Sequence, residues 1–123
     1  MKIKRTDLSG EAYRVGFFFV DTPVTAETLA MHVFTDDVTF ADDFAGSAAS
    51  VGVNATATFV LDVLKEGVSV GSISISTSGV ATFSTTGGAV SYAAGETIEI
   101  VGPVTIDDTI QQVAVTLVGT IDG

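Results

Sequence analysis

The chain has 123 residues, of which 46% are hydrophobic and 16% are charged, and this is the size and composition of one globular domain. It contains no cysteine, which excludes thiol nucleophiles, zinc–thiolate sites and disulfides. The formal net charge is −10, and from Val15 to Gly123 a single cation, Lys65, stands against thirteen carboxylates. A surface of this charge repels phosphate backbones and anionic membranes, so the sequence argues against nucleic acid and against membrane insertion.

The N-terminal residues differ from the rest of the chain in charge. Four of the five cations lie within the first fourteen residues, and three of them are Lys2, Lys4 and Arg5. We interpret residues 1–11 as a basic arm, either a solvated tail or a segment that docks on an acidic neighbour. Residues 12–123 are interpreted as a single β-sandwich domain.

An apolar period of two recurs along the chain and predicts strands. The first run, 12–20, contains three consecutive phenylalanines, so at least one ring must point away from the face that the others share. Phe18 is the odd-facing one, and it is predicted either to be core in a central strand or to lie in a subunit contact. Two shorter runs follow at 28–35 and 38–40.

The segment 45–53, AGSAASVGV, is rich in small residues. Its composition is compatible with a flexible linker or with an extended strand pressed against a neighbour, where small side chains allow close approach. We favour an ordered crossing.

A β-hairpin is predicted from residue 54 to residue 76. Apolar residues alternate from 54 to 65, and the pair Glu66-Gly67 supplies the positive φ that a tight turn needs. In the returning arm, 68–76, the apolar parity switches across Gly71, which indicates a β-bulge.

Three further strands are predicted at 79–85, 97–101 and 112–119, and single helical turns at 22–27 and 107–109. About eight short, β-branched strands with glycine-bearing turns predict an all-β fold, an antiparallel β-sandwich of jelly-roll or Greek-key-like topology.

The residues that could carry chemistry form no recognisable site. Three carboxylate pairs, 36–37, 42–43 and 107–108, could contribute oxygen ligands to calcium, but adjacent residues of an extended chain point to opposite faces, which favours solvated turn carboxylates. His32 is the only histidine, and no G-x-S-x-G accompanies it. Without tryptophan, and with Tyr13 and Tyr92 as the only tyrosines, a sugar-binding platform has little support. We therefore predict no catalytic residue, no metal and no cofactor.

The order of several motifs resembles a β-rich module of bacteriophage and prophage virion proteins, found in tail-fibre-region proteins and short virion open reading frames. The motifs are YRVGFFFVDTP at 13–23, FAGSAAS at 44–50, FVLDVLKEGVSVGSISIS at 59–76, SYAAGETIEIVGP at 91–103 and TIDDTIQQVAVTLVGT at 105–120. That module usually has Phe where Tyr92 stands and Asp where Glu96 stands. Each motif alone is ordinary hairpin chemistry, so the resemblance lies in their order over most of the chain.

The resemblance implies a virion structural role and says little about which part of the particle. Since the sequence also lacks a catalytic constellation, our leading expectation is a non-enzymatic protein of the tail tip or fibre apparatus that contributes to host attachment. It implies assembly in the host cytoplasm into the virion, with other virion proteins and copies of itself as partners, a homo-oligomer in which a trimer is favoured, and a host-surface glycan as a further possible ligand. The candidate interface residues are Phe18, Lys2, Lys4 and Arg5. Two alternatives stay open: a capsid decoration or head-fibre protein that stabilises the head, and a carbohydrate-binding module.

Overall fold

The computed structural model describes residues 10–20, 23–24, 26–103 and 109–122. Within them lie ten β-strands, one 3₁₀ turn (Asp42–Phe44) and no α-helix. The strands are β1 (Ala12–Phe19), β2 (Thr28–Val33), β3 (Val38–Phe40), β4 (Ala48–Val53), β5 (Phe59–Lys65), β6 (Val68–Ile75), β7 (Ala81–Thr85), β8 (Val90–Tyr92), β9 (Thr97–Val101) and β10 (Gln111–Ile121).

The strands form two antiparallel sheets. Sheet I has the order β1-β10-β3-β8, and β4 pairs with the first half of β10 on the side away from β1. Sheet II has the order β2-β9-β5-β6-β7. The predicted all-β antiparallel sandwich is confirmed, with ten strands in place of about eight.

One hydrophobic core lies between the two sheets and takes side chains from both. Phe34, which follows β2, stacks on Tyr92 of sheet I with 4.5 Å between ring centroids. At another point the rings of Phe19 in sheet I and Phe59 in sheet II are 6.4 Å apart. Alternate residues of each strand reach this core, as the period of two requires.

The β5–β6 hairpin has the geometry that its sequence predicts. Glu66 and Gly67 have φ angles of 49° and 82°, as a turn with two positive φ angles requires. Val63 pairs with Gly71 while the next residue pairs with Ser69, so Val70 is the extra residue of a bulge. The parity switch at Gly71 therefore correctly predicts the bulge.

Several predicted boundaries are wrong. Residues 54–58 are not strand: β5 begins at Phe59, opposite Ile75, the last residue of β6. The favoured prediction for the small-residue segment 45–53, an ordered crossing, is correct, and the segment contains β4, which pairs with β10. Strand β8 and the 3₁₀ turn have no counterpart in the prediction. The helical turns predicted at 22–27 and 107–109 lie partly outside the described residues.

Candidate functional site

The phenylalanines of β1 divide between the two faces of sheet I. Phe17 and Phe19 face the core and are half-buried, whereas Phe18 points outward with 59% of its surface exposed. Phe18 is therefore a surface residue of the chain and not part of its core. The other candidate interface residues, Lys2, Lys4 and Arg5, lie outside the described residues.

Large exposed apolar side chains concentrate along β1, β2 and the segment between them, which we call the β1–β2 edge. The described residues contain nine such side chains, and five belong to this edge: Phe18, Val20, Val24, Met31 and Val33. They lie on different faces of the sandwich, because Phe18 points outward from sheet I whereas Met31 and Val33 point outward from sheet II.

A hydrogen bond joins the two sheets at the β1–β2 edge. The Tyr13 hydroxyl in β1 lies 2.7 Å from His32 Nε2 in β2, and the Tyr13 ring packs 5.4 Å from that of Phe34. His32 thus has a structural contact, as expected for a packed strand position. The bond links β1 to β2 across the gap between the two sheets.

Charge is distributed unevenly between this edge and the rest of the chain. Residues 1–33 contain four cations and four carboxylates, so they are neutral overall. Residues 34–123 contain eleven carboxylates against Lys65 and carry the whole net charge of −10. Arg14 is the single charged residue of β1. The β1–β2 edge itself has Arg14 against Asp21 and Glu27 and carries −1, so a negatively charged neighbour is repelled less there than at the rest of the chain.

Strand β1 has an unpaired side in the described part of the chain. The Val118 N–H in β10 donates to Ser47 Oγ, which lies on the side of β10 away from β1. Successive N–H groups of a strand point to opposite sides, so the even-numbered N–H groups of β10 point away from β1 and the odd-numbered ones point toward it. The odd-numbered residues of β10 therefore form hydrogen bonds with their odd-numbered partners in β1. The N–H and C=O groups of Arg14, Gly16 and Phe18 consequently point to the free side. Sequence patterns alone do not show that β1 is an edge strand, so Arg14 and Gly16 were not predicted as candidates.

The carboxylate pairs act in turns and between strands. Asp37 Oδ1 accepts a hydrogen bond from the Ala94 N–H, at 2.9 Å. Asp42 accepts from the Thr85 hydroxyl and Asp43 from the Thr85 N–H, which ties the 3₁₀ turn to β7.

The expectation that these carboxylates are all solvated is wrong for Asp36. Its side chain is buried, and its Oδ2 accepts a hydrogen bond from the Thr35 hydroxyl at 3.2 Å. The described residues bring together no group of three or more His, Cys, Asp or Glu side chains that could hold a metal ion. The pair 107–108 lies outside the described residues.

Tyr92 links β8 to the second sheet. Its hydroxyl donates to the Leu64 carbonyl at 3.3 Å, and the Lys65 ammonium lies 5.7 Å from its ring centroid. Lys65 also pairs with Glu96 at 3.8 Å. Burial, together with the nearby Glu96 charge, raises the pKa of Tyr92 above its ordinary value. The ring is buried, so it offers no stacking platform for a sugar.

A shallow hollow of about 210 Å³ lies on the outer face of sheet I, lined by small residues of β4 and β10: Ala48, Ala49, Ser50, Ala114 and Thr116. Its volume is below the range of about 300–1,000 Å³ that small-molecule sites occupy. Phe18, which pairs with Ala114, stands beside it.

Comparisons with protein-family models, with curated proteins and with solved structures find no match. In the described residues, no helix has the length and apolar character needed to cross a membrane.

Proposed function

We propose that this chain is a non-enzymatic structural protein of a bacteriophage virion, located in the tail tip or fibre apparatus and contributing to host attachment. In this role it assembles in the host cytoplasm with copies of itself and with other virion proteins. The resemblance of its motif order supports the virion assignment, and the occurrence of the similar module in tail-fibre-region proteins is the reason to prefer the tail.

The pairing of the strands is the structural observation that carries the virion assignment. Four antiparallel pairs are nested, β1 with β10, β2 with β9, β3 with β8 and β5 with β6, as if one long hairpin were rolled into two sheets. We infer a jelly roll in which β4 and β7 are additions. Viral capsid domains and lectins use this topology, and the support it gives is fold-level analogy.

The β1–β2 edge supports the assembly part of the role. Virion proteins assemble through strand edges and apolar faces, and this edge offers both. The anionic remainder of the chain is compatible with a surface that does not adhere to packaged DNA.

A capsid decoration or head-fibre protein is the second candidate. The three cations at Lys2, Lys4 and Arg5 favour it, because a basic arm on a small domain is suited to lie on an acidic capsid neighbour.

Copy number per particle separates these roles. Particles purified from a host that carries the gene are quantified by mass spectrometry against the major capsid protein. A tail or fibre protein is expected at roughly three to a few dozen copies, whereas decoration gives roughly hundreds. A deletion strain completes the test: loss of adsorption with intact heads supports the tail role, and fragile heads support decoration. Absence of the chain from wild-type particles would overturn both.

A further inference from the structure

We propose that two copies of the chain associate through β1, which pairs antiparallel with β1 of the second copy around a two-fold axis at Gly16. This contact deepens the self-assembly of the proposed function and rests on it, although not on the location within a virion. Sheet I of each copy would then continue into the other as one sheet.

Strand β1 is the least protected edge in the described part of the chain. With eight residues it is the longest strand at the end of a sheet, and its charge is limited to Arg14. Three other edges carry protective features: β2 is interrupted by a bulge, β8 has three residues, and β7 is held at Thr85 by Asp43. The remaining edge strand, β4, has no charged residue but is shorter than β1, with six residues against eight. Proteins use bulges, short strands and covering segments to prevent edge pairing, and a long uncovered edge invites it.

A second copy is the partner that fits this edge. Under a two-fold rotation, the outward N–H and C=O groups of Arg14, Gly16 and Phe18 meet the same groups of the other copy and form about six hydrogen bonds. Charge is compatible with the same partner. Each copy carries −10, but the β1–β2 edge contributes only −1 of it, with Arg14 against Asp21 and Glu27, so two chains repel each other less at this edge than elsewhere.

The register follows from the side chains of β1. An axis at Gly16 places Arg14 of one copy opposite Phe18 of the other, on the outer face, where a guanidinium can cover an exposed ring. On the inner face it places Tyr13 opposite Phe19, so the half-buried aromatic residues of this strand cover one another. An axis at Arg14 would instead oppose two like charges, which is unfavourable.

The symmetry differs from the trimer that the family resemblance favours. An antiparallel contact between identical strands is isologous, so it joins two copies and uses both edges completely. A dimer is therefore the expected product of this contact.

An introduced cysteine tests the register directly, because the natural chain has none. In a hydrogen-bonded antiparallel pair the Cα atoms are about 5.5 Å apart, within the range that a disulfide spans. A Cβ at Gly16 would meet Thr116 Oγ1 at 3.8 Å, an ordinary contact, so Gly16→Cys should fold. Ser84→Cys, on β7 at the edge of sheet II, is the matched control. Mild oxidation should give a disulfide-linked dimer with Gly16→Cys and not with Ser84→Cys.

Sedimentation of the full chain tests the association itself. Phe18→Asp should raise the dimer dissociation constant at least about tenfold, because a carboxylate in an apolar contact is costly. Val68→Asp, an equally exposed apolar residue at the β5–β6 turn, adds the same charge elsewhere and should leave the dimer unchanged. Circular dichroism and thermal melting establish that each variant is folded.

Three results would overturn the contact: a monomeric or trimeric wild-type chain, equal cross-linking of the two cysteine variants, or equal effects of the two aspartates. If Phe18→Asp unfolds the chain, the cross-linking of Gly16→Cys alone decides whether the β1–β1 contact exists. These measurements use purified protein, so they are separate from particle incorporation. A cross-linked dimer that is absent from particles would refute the virion role and leave the contact standing.

Discussion

The close pairing of β6 with β7 predicts that alanine substitutions at two strand glycines, Gly71 and Gly16, have different effects on stability. At Gly71, an added Cβ would clash with the Ser84 carbonyl oxygen and lie 2.9 Å from Phe44 Cε2. At Gly16, the nearest atoms are 3.8 Å away or more. Gly71→Ala should therefore destabilise the fold, and Gly16→Ala should not.

The size of the stability difference depends on whether the neighbouring atoms can shift to make room for the added Cβ. The Ser84 carbonyl belongs to the backbone of β7, which pairs with β6 around Gly71, so relief of the clash requires a shift of the ladder itself. Overpacking of this kind costs about 1–3 kcal/mol. Alanine at Gly16 instead reduces the freedom of the unfolded chain and should stabilise the protein by about 0.4–1 kcal/mol.

Urea unfolding of the wild-type chain and the two variants measures this difference, and unchanged m-values would show that the unfolded states are comparable. For a domain of 123 residues, 1 kcal/mol corresponds to about 4 °C in Tm, so Gly71→Ala should melt roughly 4–12 °C below the wild type. Equal stabilities of the two variants would refute the close approach of β7 at Gly71. A variant pair measured at low protein concentration avoids any contribution from self-association at Gly16.

Three further predictions concern metal, pH and the N-terminal arm. Excess EDTA should leave Tm unchanged, because the carboxylates at 37 and 42–43 have protein donors; a large drop would indicate a calcium site. The raised pKa of Tyr92 means that its contribution to stability is complete below about pH 10, the ordinary tyrosine value, and is lost as pH rises toward the raised value. Alkaline titrations of unfolding free energy should therefore fall less steeply for Tyr92→Phe, and identical slopes would contradict this. Deletion of residues 1–6 should preserve the fold, weaken particle incorporation or self-association and make the remaining association less sensitive to salt; equal behaviour of both forms across a salt series would mean that the arm is a solvated tail.

The sequence predicts correctly those elements that depend on residues adjacent along the chain. The β5–β6 hairpin follows from Glu66-Gly67, and its bulge follows from the parity switch at Gly71, because both depend on residues adjacent in sequence. Strand β4 could not be predicted with the same certainty. Its small side chains show no apolar alternation, and it becomes a strand by pairing with β10, which lies some sixty residues further along the chain.

The candidate site likewise has features that the sequence predicts and features that depend on contacts between distant strands. Alternation along β1 correctly predicts that Phe18 points away from Phe17 and Phe19. The sequence does not determine whether the strand lies in the centre or at the end of its sheet, since this depends on the pairing of β1 with β10 and on the absence of a second partner in the described residues. The contact of Tyr13 with His32 likewise arises when two separate sheets meet, so no spacing along the chain predicts it.

Net charge and edge geometry together explain why the proposed β1–β1 contact would give a closed dimer and not an open-ended aggregate. A strand with exposed apolar residues and free hydrogen-bonding groups would, on a neutral protein, pair with many other edges. Here the −10 charge lies outside residues 1–33, so contacts that involve the remaining surface are opposed by repulsion. A head-to-tail contact would leave β1 of one copy free at each step and could extend without limit, whereas pairing of β1 with β1 consumes both free edges at once. The proposed two-fold contact is thus the arrangement that would satisfy the unpaired backbone groups of Arg14, Gly16 and Phe18 without leaving a free β1 edge for further growth.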